Sequence, residues 1–399
     1  MLKVQEEKFL LSASRSLDFT YRGLLVHHQR VAYLSLVLGQ AAGMGPAELY
    51  QLFKTAIIHD AGIASFDQKD SLAKFELETE ARWEHCQRGF EFTRGIRALA
   101  GLAAKVLVHH DRWAGGNPSG FESSRIPLIS RIVHLTDRVN VLIRDDIPIL
   151  QQTGSIKGRI QDEAGKEFDP ELVALLLELL RRDSLWLDLT APWLEDRLLF
   201  LLDSINKKPQ ADLVDLARLF ACVVDAKSRF TYHHSRSVAA CARFLGTALG
   251  FGARDCSLLE AAGLLHDLGK ITIPEHILEK DGRLTAAEFG LIKQHPYYTY
   301  WLLKPATEGL PLAQWAAAHH ERLDGSGYPF QLAGEKIPKG ARIIAVADIY
   351  TALREERPYR PSLSGPQIEK ILLEQVRSGA LDKKVVDALL SNRRQLELE

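Results

Sequence analysis

Apolar residues recur along this chain at the three-and-four spacing of a helix face, and no stretch shows convincing strand alternation. Leu216, Leu219, Phe220 and Val223 form one stripe and Val238, Ala242 and Leu245 another, the period of helices that bury one side. Residues 18–182 and 213–392 both read as series of helices. The first series is punctuated at Gly43-Met44-Gly45-Pro46 and Gly115-Gly116-Asn117-Pro118, where glycine and proline stop helices and open turns. Between the two series, residues 183–212 carry Trp186, Trp193 and the run Leu198 to Leu202. A free linker would be polar, so this stretch is expected to be a helical connector packed between the two bundles. The pattern predicts an all-α fold: a bundle over 18–182, the connector over 183–212 and a second bundle over 213–392.

The two bundles are copies of each other. Aligned on histidines, His27 falls on His234, His59-Asp60 on His266-Asp267, His85 on His295, His109-His110 on His319-His320, and Asp137 on Asp348. The intervals are 32, 26, 24 and 27 residues in the first copy and 32, 29, 24 and 28 in the second. Supporting residues keep the register. Phe19-Thr20-Tyr21 echoes Phe230-Thr231-Tyr232, Ile126-Pro127 with Arg131 matches Ile337-Pro338 with Arg342, and Gly165 to Asp169 has a worn counterpart in Gly379 to Asp382. A fixed internal period of this kind marks a tandem repeat.

Composition narrows the class. The 399 residues are 46% hydrophobic and 25% charged, with 50 basic against 51 acidic side chains and a net charge of -1, so no basic field favours DNA or RNA polymers. Cys86, Cys222, Cys241 and Cys256 lie in apolar, helix-like segments without a CxxC pair, which reads as reduced core thiols and not as a zinc site. No run of about 18 apolar residues occurs, and Met1 to Leu17 is too charged for a signal peptide. The expectation is a cytoplasmic protein with no membrane partner.

An isolated His-Asp pair is ordinarily a core histidine beside a capping acid. Here His266-Asp267 is accompanied by His234, His295, His319, His320 and Asp348, and the whole array is repeated upstream. Seven imidazole and carboxylate ligands exceed what one ion needs beside a substrate but suit two ions sharing a bridging aspartate. Side chains of His319 and His320 diverge by about 100° if helical, so neighbours can serve different ions. Two-metal sites of this ligand type clamp the attacking and leaving oxygens of phosphate esters. Lys270 lies four residues past His266, placed to neutralise a phosphate oxygen. Two glycines and a proline follow the paired histidines in Asp324-Gly325-Ser326-Gly327-Tyr328-Pro329, and Arg357 and Arg360 follow Asp348, suiting bidentate phosphate recognition.

From about Phe230 to Arg360 the second copy resembles an HD-GYP domain. The resemblance rests on His234-Ser235 with Val238-Ala239, HDLGKITIPEHIL from His266, HP at His295, HHERLDGSGYP from His319, IPKGARIIAVAD ending at Asp348, and RPYR from Arg357. It implies tandem HD-domain helical bundles and a metal-dependent phosphodiesterase. The implied substrate is cyclic di-GMP, cut to pGpG and in some members to GMP, or 3′,3′-cyclic GMP-AMP. It implies two divalent ions, iron or manganese, on His234, His266, Asp267, His295, His319, His320 and Asp348. His266, Asp267 and Lys270 then carry the catalysis, and Lys270, Asp324, Tyr328, Arg357 and Arg360 the substrate contacts. A homodimer or a signalling partner protein is also compatible with it.

The chain departs from the family pattern at several places. Phe230 stands where some members have a glutamate for a third ion, which favours two ions here. Thr299 replaces a usual glycine, beside Tyr297, Tyr298, Tyr300 and Trp301, an aromatic cluster read as core in preference to a purine platform. Thr351 and Gln331 replace a common aspartate and glycine, leaving the choice of cyclic dinucleotide open. The first copy resembles the same fold in degenerate form. It keeps His27, His59, Asp60, His85, His109, His110 and Asp137, a possible second metal site. Ile63 takes the place of Lys270, Ala114 that of Asp324, Gly116-Asn117-Pro118 that of the GYP, and Asp146 that of Arg357. A lost charge-assisted phosphate contact is worth about 1.5–3 kcal/mol, so the first copy is expected to support or regulate and not to turn over substrate. The alternatives are a nucleotide phosphohydrolase of the broader HD superfamily and a nucleotide-sensing module. The GYP and RPYR segments and the intact Lys270 weigh against both.

Overall fold

The computed structural model describes residues 2–18, 26–63, 79–205, 209–226, 234–280, 282–356 and 361–396. The chain divides into two compact units, one of Gln5–Pro209 and one of Met1–Val4 with Gln210–Glu399.

In the first unit α1 (Glu6–Asp18), α2 (His27–Ala41), α3 (Pro46–Ile58), α4 (Thr79–Arg94) and α5 (Ala103–Leu107) are followed by α6 (Leu128–Val141), α7 (Ile149–Asp162), α8 (Pro170–Leu179), α9 (Asp183–Thr190) and α10 (Leu194–Ile205). Helix α2 is buried on nearly every side and packs against α3, α6, α1 and α10. This unit extends beyond the 18–182 read from the pattern. Charges at Glu6 and Glu7 disguise α1, but Phe9, Leu10, Leu11 and Leu17 are buried, and Glu6 accepts from the Tyr50 hydroxyl (3.0 Å) and Lys54 Nζ (3.2 Å). The stretch read as a connector forms α9 and α10, and Trp186, Leu189, Leu198 and Leu202 are buried within the first unit.

The second unit repeats the plan with α11 (Leu213–Asp225), α12 (His234–Ala248), α13 (Ala253–Leu265), α14 (Glu275–Leu278), α15 (Ala286–Ile292), α16 (His295–Leu303), α17 (Leu312–Ala317), α18 (Lys339–Arg354), α19 (Gly365–Arg377) and α20 (Lys383–Leu396). Here α12 packs on α13 and α18, with α11 against α13. The strands β1 (Lys3–Gln5) and β2 (Gln210–Asp212) form one small sheet. No helix among the described residues is long and apolar enough to cross a membrane.

The repeat seen in sequence is a repeat of contacts. Helices α2 and α12 end at Gly43 and Gly250, both at left-handed φ (77° and 79°), a conformation only glycine adopts cheaply. Arg131 donates to Ile126 O and binds Asp169, and Arg342 donates to Ile337 O (2.9 Å) and binds Asp382 (3.0 Å). The closest parallel follows the His-Asp pairs. A Cβ on Gly62 would lie 2.0 Å from His85 O, and one on Gly269 would lie 2.0 Å from His295 O. Each glycine lets one ligand-bearing turn rest on the backbone that carries the next histidine.

Because that obstacle is backbone, no side chain can yield to relieve it. Gly269→Ala is expected to destabilise the second unit by about 1–3 kcal/mol, measured by chemical denaturation. Gly290→Ala, in a helix with nothing within 4 Å of the new methyl, is expected to leave stability unchanged or raise it by up to about 1 kcal/mol.

Candidate metal centre

Five histidines are prepared for metal binding by the helix ends on which they sit. The last carbonyls of a helix have no partner inside it. His59 Nδ1 lies 2.8 Å from Ala56 O and His109 Nδ1 2.6 Å from Val106 O. His266, His295 and His319 Nδ1 each lie 2.7 Å from Gly263, Ile292 and Ala316 O. A carbonyl only accepts, so Nδ1 carries a proton and Nε2 is the nitrogen turned toward the interior, where an ion could take it as a ligand.

In the second unit those lone pairs converge on Asp267. Its Oδ2 is 3.2 Å from His266 Nε2, while its Oδ1 is 3.3 Å from His295 and 3.9 Å from His319. The carboxylate divides its oxygens between two imidazole groups, the arrangement of a bridging ligand. Ligand atoms of His295, His319 and His320 lie within 4.8 Å of one another, as do those of His234, His266 and Asp348. His234 Nε2 is 3.1 Å from Asp348 Oδ1. His266 Nε2 and Asp267 Oδ1 are buried without a hydrogen-bond partner, an expensive omission that a cation between them would remove. This donor set of nitrogen and oxygen fits divalent ions.

Electrostatics divide the ring: despite burial, Asp267 and Asp348 raise His266. Burial would raise Asp267, but His266 and Lys270 hold its carboxyl well below the usual range. Burial and neighbouring imidazoles keep His319 and His320 well below the ordinary histidine value, hence neutral. Despite burial, Asp348 and Glu355 push His234 up to about 9.

The site has one open edge. Lys270 Nζ sits 2.6 Å from Asp267 Oδ2 and is partly exposed, as is Asp348. Tyr328 lies over His320, ring centroids 4.7 Å apart. Its loop is held by Glu321, which accepts from Phe330 N (2.7 Å) and Leu332 N (2.9 Å). A Cβ on Gly327 would lie 2.4 Å from Glu321 Cα, so the GYP glycine lets this loop press on the paired histidines. Asp324 points elsewhere: its carboxylate accepts from Ser326 N (2.9 Å) and Oγ (2.7 Å), exposed. Arg357 and Arg360 lie outside the described residues, as do Phe19 to Tyr21 and Phe230 to Tyr232.

Two residues take on roles that sequence reading did not assign. Glu355 accepts from His234 Nδ1 at 2.9 Å; it lies two helical turns after Asp348, a spacing that would have placed it on the same face. Thr299, which stands where the family has glycine, accepts from Gly269 N (2.9 Å) and donates to His266 O (3.1 Å), tying the His-Asp turn to α16. The aromatic cluster is not core: Tyr297 and Trp301 are 48% and 47% exposed. They project from α16, whose other face buries His295, Thr299 and Leu302. Nearby, Tyr300, Phe330, Leu332 and Lys336 line a cleft of about 400 Å³.

The first unit assembles the same ring and closes it. Asp60 Oδ1 lies 3.4 Å from His85 and 3.6 Å from His109, and its Oδ2 3.4 Å from His59 and 3.7 Å from His27. His110 has no hydrogen-bond partner for either ring nitrogen. Asp137 is 1% exposed where Asp348 is 15%. Beside His110 remains a cavity of about 20 Å³, lined by Trp83, Arg112 and Asn117 among others, room for about one water. Ile63 is buried in Lys270's place, and Asp146 is exposed and paired with Arg144 (2.8 Å).

Comparison with known proteins places this geometry. The HD domain family matches residues 218–385. The 3′3′-cGAMP-specific phosphodiesterase 1 of Vibrio cholerae is 31% identical over 96% of this chain and 90% of its own length. A cyclic di-GMP phosphodiesterase response regulator of Xanthomonas campestris is 38% identical over 51% of this chain and 53% of its own. Among solved structures, a cyclic GMP-AMP specific phosphodiesterase of V. cholerae shares the fold, with a TM-score of 0.66 over 98% of each chain at 24% identity.

A carboxylate behind a ligating histidine typically contributes 10–100-fold in metal affinity. Glu355→Ala is therefore expected to weaken Mn(II) binding to the second unit by about that factor, read by competition with a fluorescent chelator. Unchanged affinity would show that Glu355 does not orient His234.

Proposed function

The chain belongs to the HD-GYP family of metal-dependent cyclic dinucleotide phosphodiesterases, and from that premise we propose that its second unit hydrolyses 3′,3′-cyclic GMP-AMP. The observation that carries the reading is Asp267: a buried carboxylate whose two oxygens face different imidazole groups, beside an ammonium at the site's open edge. Two divalent ions, iron or manganese, would be held by His234, His266, Asp267 and Asp348 on one side and Asp267, His295, His319 and His320 on the other. When bound they supply Lewis-acid polarisation of the phosphate and an activated water. Lys270 contributes a point charge at the mouth, where a non-bridging phosphate oxygen would meet it. Tyr328, laid over His320, limits how the substrate enters. Hydrolysis adds one water across one P–O3′ bond and leaves a linear dinucleotide with a 5′-phosphate. Arg357 and Arg360 are assigned to the substrate's phosphates by their motif alone.

The substrate assignment follows the relatives that match both halves of this chain, which are named for 3′3′-cGAMP. Cyclic di-GMP is the second reading, favoured by relatives that match about half of it. The first unit is assigned a supporting role. Among the described residues its carboxylates are buried, the cavity beside His110 is about 20 Å³, and Ile63 offers no charge to a phosphate.

Turnover of both cyclic dinucleotides by the intact chain loaded anaerobically with Mn(II) or Fe(II) tests this. His266→Ala/Asp267→Ala is expected to abolish product, and His59→Ala/Asp60→Ala to retain it. Faster turnover of cyclic di-GMP would replace the preferred substrate, and failure on both compounds would end the phosphodiesterase assignment of the second unit.

A further inference from the structure

Asp137 and Asp348 occupy equivalent places, yet the groups bonded to them and to their histidine neighbours differ. After Asp348 the chain continues with Ile349, and its imidazole neighbour His234 faces the Glu355 carboxylate. After Asp137 comes Arg138, whose Nη2 and Nε reach Asp137 Oδ2 at 2.6 and 3.0 Å and whose side chain is buried. His27 Nδ1 meets the neutral Asn140 amide at 2.5 Å. Relative to the second unit, this half of the first centre has exchanged the carboxylate on its histidine for an amide and gained a guanidinium bonded directly to its aspartate. The other half is untouched: Asp60, His85, His109 and His110 are all buried, with ligand atoms within 4.8 Å of one another.

We propose that the first unit holds a single metal ion, on Asp60, His85, His109 and His110, and that Arg138 is a built-in counter-cation in place of the second. The inference rests on reading the carboxylate–imidazole rings as metal sites and deepens it. Guanidinium suits the part because it does not deprotonate in proteins. A lysine or histidine there could shed its proton and admit an ion, whereas Arg138 remains charged, and its two nitrogens hold Asp137 Oδ2. Three imidazoles and a carboxylate are donors enough to hold one ion.

The test counts ions per intact chain by equilibrium dialysis against micromolar Mn(II), followed by elemental analysis. The wild type is expected to hold three and Arg138→Ile four. Ile349→Arg probes the same rule from the opposite side and is expected to lower the count to two. Circular dichroism verifies that each variant is folded. An unchanged count in folded Arg138→Ile or Ile349→Arg overturns the inference. The His59→Ala/Asp60→Ala variant separates the two readings: two ions there mean that the second unit's binuclear assignment stands whatever Arg138 does, and none means that it falls.

Discussion

Each unit gathers its imidazoles about one buried carboxylate, Asp60 in the first and Asp267 in the second. At an effective dielectric of about 20, a unit charge pair at the imidazole distances of Asp60 and Asp267 attracts by ~5 kcal/mol. Protonating several crowded imidazoles to exploit that attraction sets them against one another, and burial opposes every such charge. Neutral imidazoles and ionised carboxylates, the forms that metals require, are what this environment favours for His319, His320 and Asp267. An ion bound within such a ring would stabilise the bundle that holds it.

The scaffold meets this constraint with backbone geometry. Histidines sit where helices run out of partners for their carbonyls, so one interaction caps the helix and sets the tautomer. Gly62 and Gly269 then bring the His-Asp turn against the backbone of the next histidine. Neither device uses the residues that distinguish an active site from a closed one. That separation explains how a duplicated domain keeps its ligand ring while its mouth diverges.

The divergence is concentrated at the mouth. Ile63 against Lys270, Arg138 against Ile349 and Asn140 against Glu355 each change charge or polarity within reach of the same carboxylates. The loop after the paired histidines changes as well, from one ordered by Glu321 over His320 to one in which Asn117 bonds Arg112 N and O at 2.8 Å. The second site is left with an ammonium, an aromatic ring and a partly exposed carboxylate at its edge, while the first keeps both of its carboxylates buried.

The repeat, the all-helical class and the histidines that the fold gathers into each ring were legible in the sequence because each is a matter of period. Helical faces repeat every three or four residues, and a duplicated ring keeps its intervals. The pairing of Arg131 with Asp169 and Arg342 with Asp382 was foreshadowed in the same way. Helix α1 was hidden, because its charged first turn masks an apolar face that only packing reveals. The exposure of Tyr297 and Trp301 was equally out of reach, since an aromatic run reads as core until the direction of its helix is known. Only the tertiary structure could pair Glu355 with His234, Thr299 with the His-Asp turn and Arg138 with Asp137. Composition and spacing say which groups a chain owns, but the charge at a buried site is set by which of them the fold brings within 3 Å of one another.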